Sequence, residues 1–279
     1  MSGRVIIVEG IPGAGKTSTV QMISRLLKEK GIPVKAYIEG DGDQPADYEG
    51  VALLSEVQLS SIERNNSESA NGLQFYCERT EYGVLAHYAK MAESNGFPEG
   101  IINEISQDDI YNKEPVIYTA LIKNKWEQFS KILASTDNVY ILDCSLLQNP
   151  TTFLSARNDL PEDYIESFVL DLLKEVKEYR PLVIYLEPSD IKKAFEHVMA
   201  ERSEQWFNFV RDYYTKQTYG MNHDLTNDLD GVISYLTHRV KLEKSILTKA
   251  NVDWIHIERD QSSWETVNNK IENELFLHF

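Results

Sequence analysis

The chain has 279 residues, of which 42% are hydrophobic, so it can bury the core of one large α/β domain or two small ones. It carries 28 Lys and Arg residues against 44 Asp and Glu residues, which gives a net charge of -16. A field of this sign repels nucleic-acid backbones and anionic lipid, so we expect neither nucleic acid nor a membrane as a partner. An anionic substrate would need a local positive site formed by a specific motif.

The cysteine content and the first residues favour a cytoplasmic location. Cys77 and Cys144 lie far apart and match no metal-ligand spacing or disulfide framework. Only four consecutive apolar residues, 5–8, precede Glu9, which is too few for a signal segment or a membrane span. We therefore expect a cytoplasmic protein in a reducing setting.

The first predicted elements form a β-α-β unit over residues 1–38. Residues 5–8 are a continuously apolar, β-branched run, which is typical of a strand buried on both faces of a parallel sheet. Helically spaced apolar residues follow the glycine-rich segment 10–17 and predict an amphipathic helix. Residues 34–38 are the second predicted strand.

The rest of the chain is expected to continue as alternating helices and strands. Two segments, 39–50 and 59–72, are rich in polar or turn-forming residues and predict loops. The other predicted strands are residues 138–143, 182–186 and 252–257, and the predicted helices are residues 73–95, 117–134, 161–179, 227–249 and 263–276, with a helical region from 189. Five short apolar strands separated by helices predict an α/β fold, with a five-stranded parallel, doubly wound sheet and helices on both faces, in a single domain.

Residues 10–17 match the pattern G-x-x-x-x-G-K-[ST] in full. They lie between a predicted buried strand and an amphipathic helix, where backbone N–H groups can converge on phosphate oxygens. We expect Lys16 to reach the β and γ phosphates of ATP and the Thr17 hydroxyl to bind Mg²⁺. The residues expected to contact ATP are Gly10, Ile11, Pro12, Gly13, Ala14, Gly15, Lys16, Thr17 and Ser18. A plain glycine-rich turn is disfavoured, because a lysine at a helix start opposes the helix dipole unless an anion is bound.

Asp143 ends the third predicted strand, at the same edge of the sheet as the glycine-rich segment. Because a carboxylate at this edge can hold Mg²⁺ directly or through water, Asp143 is expected to share the metal with Thr17. The alternative interpretation is a solvated strand-end aspartate, which is a common feature of parallel sheets.

Several carboxylates follow the second predicted strand, and one of them is expected to accept the proton of an attacking hydroxyl. Asp41 is the preferred base. Glu39 is the other choice, because a small error in the predicted strand end changes which side chain faces the site. An equal alternative is that the alternating Gly and Asp residues only form turns. Asp47 and Glu49, in the same acidic segment, would instead suit a cationic substrate.

The helical region 189–220 is the expected lid over the site. Arg202 would stabilise charge on the transferred phosphate, with a solvated ion-pair face as the alternative, and the latter interpretation is preferred for Arg211. Packing accounts better than base stacking for the aromatic residues of this region, which are Trp206, Tyr213, Tyr214 and Tyr219. The six histidines show no metal-ligand spacing.

Taken with the order of elements, these residues resemble the P-loop nucleoside and nucleotide kinase superfamily. The similarity is to the branch with thymidylate kinases, deoxynucleoside kinases and chloramphenicol phosphotransferase. The resemblance implies a three-layer fold with a helical lid and a sheet order of 2-3-1-4-5, and it implies a base at the end of strand two, at Glu39 or Asp41. Those families carry an acid followed by arginine after strand three. This chain keeps the acid, Asp143, and has Cys144 in place of the arginine.

The sequence therefore predicts a cytoplasmic, ATP- and Mg²⁺-dependent kinase. Its catalytic residues are expected to be Lys16, Asp41, Asp143 and Arg202, and residues 39–135 are expected to bind a small-molecule acceptor, which is nucleoside-like, nucleotide-like or an antibiotic hydroxyl. The alternative function is that of a P-loop ATPase acting as a nucleotide-dependent switch or regulator. The identity of the acceptor, the preference for ATP over GTP and the oligomeric state stay open.

Overall fold

The computed structural model describes residues 3–66, 71–259 and 264–278. Its strands and helices, in chain order, are β1 (Arg4–Gly10), α1 (Lys16–Glu29), β2 (Val34–Tyr37), β3 (Ala52–Leu54), α2 (Glu56–Asn65), β4 (Cys77–Thr80), β5 (Gly83–Ala86), α3 (Tyr88–Glu93), α4 (Glu99–Ser106), α5 (Pro115–Ala134), β6 (Val139–Asp143), α6 (Gln148–Thr151), α7 (Glu162–Val176), β7 (Leu182–Pro188), α8 (Ile191–Glu201), α9 (Glu204–Thr215), α10 (Thr218–Asn222), α11 (Leu229–Lys249), β8 (Asp253–Arg259) and α12 (Trp264–His278).

Short turns of other helix types complete the backbone. A π-helical segment, Thr152–Arg157, continues α6, and 3-10 turns cover Leu73–Tyr76, Ile110–Asn112 and Lys177–Tyr179. The chain divides into two compact units. Unit 1 comprises Met1–Glu39 and Trp126–Phe279, and unit 2 comprises Gly40–Lys125.

Unit 1 is built on a five-stranded parallel sheet with the order β2-β6-β1-β7-β8. The five predicted strands are thereby confirmed, and so is the order 2-3-1-4-5 that the resemblance implied. All four side chains from Val5 to Val8 are fully buried, although successive residues of a strand point to opposite faces. Both faces of β1 are therefore covered, as its unbroken apolar run predicts.

Helices flank this sheet. On one face, residues of β1, α1 and α11 share a single apolar core, in which Ile6, Ile23 and Tyr235 are fully buried. The predicted helices 117–134, 161–179 and 227–249 correspond to α5, α7 and α11, and the region from 189 contains α8, α9 and α10. The last predicted helix corresponds to α12, and its first predicted residue, Ser263, lies outside the described residues.

Unit 2 contains a second sheet, which the sequence analysis did not predict. It has three antiparallel strands in the order β3-β5-β4, and a separate apolar core lies between this sheet and α2, α3 and α4. The absence of helix and strand predicted for residues 39–50 is confirmed.

The helix predicted over residues 73–95 is wrong in its middle part, residues 77–86, which form the hairpin of β4 and β5, whereas its last part contains the helix α3. Thr80 pairs with Gly83 across a two-residue turn. Gly83 has a φ of +135°, and a Cβ atom there would lie 2.6 Å from the carbonyl oxygen of Leu54. A left-handed glycine pressed against the neighbouring strand stops a helix and permits the hairpin.

The loop predicted over residues 59–72 is also wrong in its first part, which belongs to α2. Ser55 caps α2 and Gln58 completes a reciprocal capping box, while Leu59 and Ile62 are buried on the inner face. The polar residues that suggested a loop therefore lie on the outer face of an amphipathic helix. Residues 67–70 of the predicted loop lie outside the described residues.

Candidate functional site

The glycine-rich segment 10–17 connects β1 to α1 at the carboxyl end of the parallel sheet. Gly10, Gly13 and Gly15 all have positive φ, at 142°, 83° and 90°. At Gly10 a Cβ atom would lie 2.3 Å from the carbonyl oxygen of Leu186 in β7, so no other residue fits without moving a strand. The loop therefore has three positions without a Cβ atom just before the start of a helix, the usual setting for anion binding.

Lys16 is the first residue of α1 and is only 6% exposed. Its Nζ donates a hydrogen bond to the carbonyl oxygen of Ile11 at 3.1 Å, which folds the side chain back over the loop. No acidic residue occupies the first turn of α1, and Gly15 at the N-cap provides no side-chain acceptor. The positive end of the helix dipole thus lacks the usual neutralising side chain.

The charge on Lys16 is sustained by acidic neighbours. Burial lowers the pKa of Lys16, but the acidic groups of Cys144, Glu39 and Asp143 more than offset this effect, and the pKa is raised above its ordinary value. Lys16 is therefore a buried side chain that keeps its positive charge, with the carboxylates of Glu39 and Asp143 in its surroundings.

Thr17, in the helix α1, and Asp143, at the end of β6, are brought together by the fold. Their parent elements are adjacent because β1 and β6 pair in parallel, with Val8 opposite Asp143. The Thr17 hydroxyl donates a hydrogen bond to Asp143 Oδ2 at 3.2 Å. Asp143 is fully buried, so the alternative of a solvated strand-end aspartate is not what the structure shows. Burial raises the pKa of Asp143, while Lys16 and the hydrogen bonds from Cys144 and Thr17 oppose that rise.

This donor set fits Mg²⁺. A hydroxyl and a carboxylate within hydrogen-bond distance are hard oxygen ligands, and Mg²⁺ commonly takes one or two protein oxygens and fills its other positions with water and phosphate. No group of three or more His, Cys, Asp or Glu side chains placed to hold a metal occurs within the described ranges.

Glu39, rather than Asp41, belongs to this constellation. Gln148 Nε2 donates a hydrogen bond to Glu39 Oε1 at 3.0 Å, and Cys144 Sγ lies 3.6 Å from Glu39 Oε2. Glu39 is exposed, so its carboxylate is accessible to a ligand. It is the last residue of the first segment of unit 1.

Asp41 forms a local turn in unit 2. Its Oδ1 accepts a hydrogen bond from the backbone N–H of Asp43 at 2.9 Å, and Asp43 in turn forms an ion pair with Lys90. This geometry matches the turn-forming interpretation of the alternating Gly and Asp residues. Asp47, the other acid considered for a substrate, is buried and accepts hydrogen bonds from the Tyr111 hydroxyl at 2.7 and 2.8 Å.

Sequence reasoning missed Glu9, which lies one residue before the glycine-rich loop. Its fully buried carboxylate accepts three backbone hydrogen bonds, from Leu146, Leu147 and Gln148, at 2.8, 2.9 and 3.0 Å. Burial raises the pKa of Glu9 to about 8, against the lowering effect of those donors. A charged residue inside an otherwise apolar strand was the signal available in the sequence.

A buried ion pair in α11 was missed as well. Arg239 and Glu243, both fully buried, lie 3.2 Å apart and are one helical turn apart in sequence. Glu243 also accepts hydrogen bonds from Thr151 and Tyr185 at 2.9 and 2.7 Å. The four-residue spacing of Arg239 and Glu243 can be read from the sequence. Their burial cannot, because it depends on packing against the segment after β6 and against β7.

The two arginines of the expected lid occupy different settings. Arg202 is exposed between α8 and α9, 6.0 Å from the ring of Trp206. Arg211 is bound to Asp212 at 2.8 Å, as its ion-pair interpretation predicts. Tyr214 and Tyr219 are buried in the core of unit 1, which confirms packing for these two aromatic residues.

Comparisons with known proteins give no independent assignment, because no family model matches the chain and no curated protein matches it significantly. Among the helices of the described residues, none is both long and apolar enough to cross a membrane.

Proposed function

We propose that the chain is a P-loop kinase that transfers the γ-phosphoryl group of ATP to a small-molecule acceptor. The observation that carries the proposal is the grouping of Lys16 with the Thr17–Asp143 pair at the start of α1, beside a backbone that admits no Cβ atom at Gly10. A cationic side chain, hard oxygen ligands and unhindered backbone N–H groups are the three features that triphosphate binding needs.

In this proposal the loop holds the triphosphate through backbone N–H groups of residues 10–17. The Lys16 ammonium leaves the carbonyl oxygen of Ile11, a neutral acceptor to which it donates one hydrogen bond, and takes up β- and γ-phosphate oxygens. Thr17 and Asp143 would hold Mg²⁺, which neutralises charge on the phosphates when bound. Because the global charge is -16, this local cation site is the part of unit 1 best suited to attract ATP.

Glu39 is the proposed general base. It receives the proton of the attacking acceptor hydroxyl as the new O–P bond forms and the bond from the γ-phosphorus to the bridging oxygen of ADP breaks. Its carboxylate is exposed at one side and fixed at the other by Gln148. We propose unit 2 as the part that recognises the acceptor and Arg202 as a cation that stabilises charge on the transferred group.

Direct binding of MgATP and release of ADP test the proposal. We expect Lys16→Ala to abolish measurable MgATP binding in calorimetry and to reduce ADP release by at least about 10³-fold, because the Lys16 ammonium is the proposed charge partner of the β and γ phosphates. Lys28→Ala is the matched control, since Lys28 is an exposed lysine on the same helix. A folded Lys16→Ala protein that binds MgATP like the parent would overturn the nucleotide site.

The acceptor is tested separately. ADP release is measured with nucleosides, nucleotides, phenicol and aminoglycoside antibiotics and hydroxylated metabolites added one at a time. Stimulation by one of them, with equal amounts of phosphorylated product and ADP, is the result expected of a kinase. Hydrolysis that no small molecule stimulates would favour the nucleotide-dependent switch instead.

A further inference from the structure

We propose that Gln148 is a positioning residue that fixes Glu39 as the base, an inference that rests on the function proposed above. The contact is the hydrogen bond from Gln148 Nε2 to Glu39 Oε1 at 3.0 Å. A carboxylate accepts hydrogen bonds only, so the amide nitrogen, and not the amide oxygen, must face it. The orientation of the Gln148 amide is therefore set by Glu39.

Gln148 itself is held in place by Glu9. The Glu9 carboxylate, at the end of β1, accepts the backbone N–H groups of Leu146, Leu147 and Gln148. The backbone at Gln148 is thereby attached to the strand that leads into the glycine-rich loop. A chain of contacts runs from the end of β1 through Glu9 and Gln148 to the carboxylate of Glu39.

The same turn also holds the proposed metal ligand. Cys144 has a φ of 66°, which is unusual for a residue with a side chain, and its Sγ lies 2.9 Å from Asp143 Oδ1 and 3.6 Å from Glu39 Oε2. The turn 144–148 thus contacts Glu39 at both carboxylate oxygens. It fixes the separation between the proposed base and the proposed metal ligand.

The amide oxygen of Gln148 indicates that this residue positions Glu39 and does not stabilise the fold. Gln148 is only 6% exposed, and its Oε1 is buried without a hydrogen-bond partner among the described residues. Burying an unpaired carbonyl oxygen destabilises a protein, and an apolar side chain of similar size avoids that cost. A glutamine at this position therefore makes the fold less stable than an apolar residue would. The contact that only the glutamine provides is the hydrogen bond to Glu39.

The first test compares stability with activity in Gln148→Met, which keeps the side-chain volume and removes both polar atoms. We expect a Tm equal to or above that of the parent protein. ADP release from MgATP, with water as the acceptor and with any stimulating small molecule, is expected to fall about 10- to 100-fold, since misplacing a catalytic group has costs of that order. Gln21→Met, at an exposed glutamine of α1, is the control and should leave both quantities unchanged.

The second test asks whether Gln148 acts through Glu39. In a Glu39→Gln background, adding Gln148→Met should change the rate by less than about twofold, because the group to be positioned is already gone. An equal loss in both backgrounds would overturn the positioning role. A crystal structure of Gln148→Met adds a readout that needs no activity: the Glu39 carboxylate is expected to leave its place beside Cys144, and an unmoved Glu39 contradicts the proposal.

The two proposals fail in different ways. If Lys16→Ala retains parental MgATP binding and ADP release, the proposed kinase function is wrong. If Lys16→Ala is inactive while Gln148→Met releases ADP at the parental rate, the kinase function stands and the role of Gln148 is wrong.

Discussion

Unit 1 and unit 2 differ in how directly their sequences express their folds. In unit 1, β1, β6 and β7 contain continuous apolar runs, and the parallel sheet buries those runs on both faces. In unit 2, the strands are three or four residues long. A tight turn joins β4 to β5, whereas β3 pairs with β5 across a long stretch of chain. The comparison shows that β-α-β units can be predicted from the apolar runs in the sequence, whereas the pairing of short antiparallel strands depends on turn geometry.

The two units also divide the candidate chemistry. Lys16, Thr17, Glu39 and Asp143 belong to unit 1, while the carboxylate preferred from the sequence, Asp41, is the second residue of unit 2. A single residue, Gly40, separates Glu39 from Asp41, and the two side chains have unlike contacts. The strongest test of the comparison is therefore to replace each of these two acids by its amide and compare the activities.

The largest effect is expected from the base. Glu39→Gln should lower phosphoryl transfer by about 10²- to 10⁴-fold, because a general base contributes an acceleration of that range. Asp41→Asn, the matched control in unit 2, should change the rate by less than about threefold, since an asparagine can keep the turn with Asp43. Steady-state ADP release at saturating MgATP measures both. A large loss in Asp41→Asn with an active Glu39→Gln would reverse the assignment.

A somewhat smaller effect is expected at Asp143. Asp143→Asn removes a charge from the proposed metal pair, so transfer should fall by about 10²- to 10³-fold, comparable to the loss of other electrostatic stabilisation in active sites. The Mg²⁺ concentration for half-maximal rate should rise. A titration with Mg²⁺ at fixed ATP measures this, with Asp137→Asn, outside the site in the loop before β6, as the control. A normal Mg²⁺ dependence would exclude Asp143 as a metal ligand.

The next prediction concerns the stability of unit 2. Burial, with Lys90 and Lys125 nearby, lowers the pKa of His87 from 6.5 to about 4. The unfolded chain therefore binds a proton that the folded chain does not, and stability is lost as the pH falls from about 6.5 to about 4. The difference between these two pKa values corresponds to a loss of at most about 3 kcal/mol in the free energy of unfolding.

Urea unfolding at pH 7 and at pH 4.5 checks this value in the parent protein and in His87→Phe. Far-UV circular dichroism follows both units, whereas tryptophan fluorescence follows unit 1, because all four tryptophans lie outside residues 40–125. We expect the acid-induced loss to be smaller in His87→Phe. An identical loss in both proteins would mean that other groups cause it.

The smallest effect compares one helix cap in each unit. Ser55 caps α2 in unit 2, and Ser203 caps α9 in unit 1 through the backbone N–H of Trp206. Replacing either serine by alanine should lower the free energy of unfolding by about 1 kcal/mol, the usual worth of a serine cap. Urea unfolding should show the Ser203→Ala effect in tryptophan fluorescence and the Ser55→Ala effect only in circular dichroism. If both variants shift both signals equally, the units unfold as one.

The two units also differ in how much of their fold could be predicted from the sequence. The parallel sheet, its five strands and most helices of unit 1 were predicted from apolar runs and helical spacing, because burial on both faces leaves a strong signal. In unit 2 the hairpin of β4 and β5 was predicted as a helix, since its apolar residues also fit helical spacing. The decisive contact, between Gly83 and Leu54, joins residues that are distant in the sequence.

The candidate site was predicted in part. Lys16, Thr17 and Asp143 were selected from a local motif and a strand end, and the fold brings them together. Glu39 was named only as the second choice, and Glu9, Gln148 and Arg239 were not selected as site residues. These missed residues have no motif of their own, because their roles depend on partners more than 80 residues away in the chain.

The sequence by itself determined the strand-loop-helix start of unit 1, since the glycines and Lys16 act through the local backbone that they shape. It also determined that the continuously apolar strands are buried, because a strand without a polar face is stable when both of its faces are covered, as in a parallel sheet. Only the tertiary structure decided which acid stands beside Lys16. The turn after β6 delivers Gln148 to Glu39, and Glu9 holds that turn from β1. Contacts between distant segments are set by packing, and packing leaves no local pattern to read.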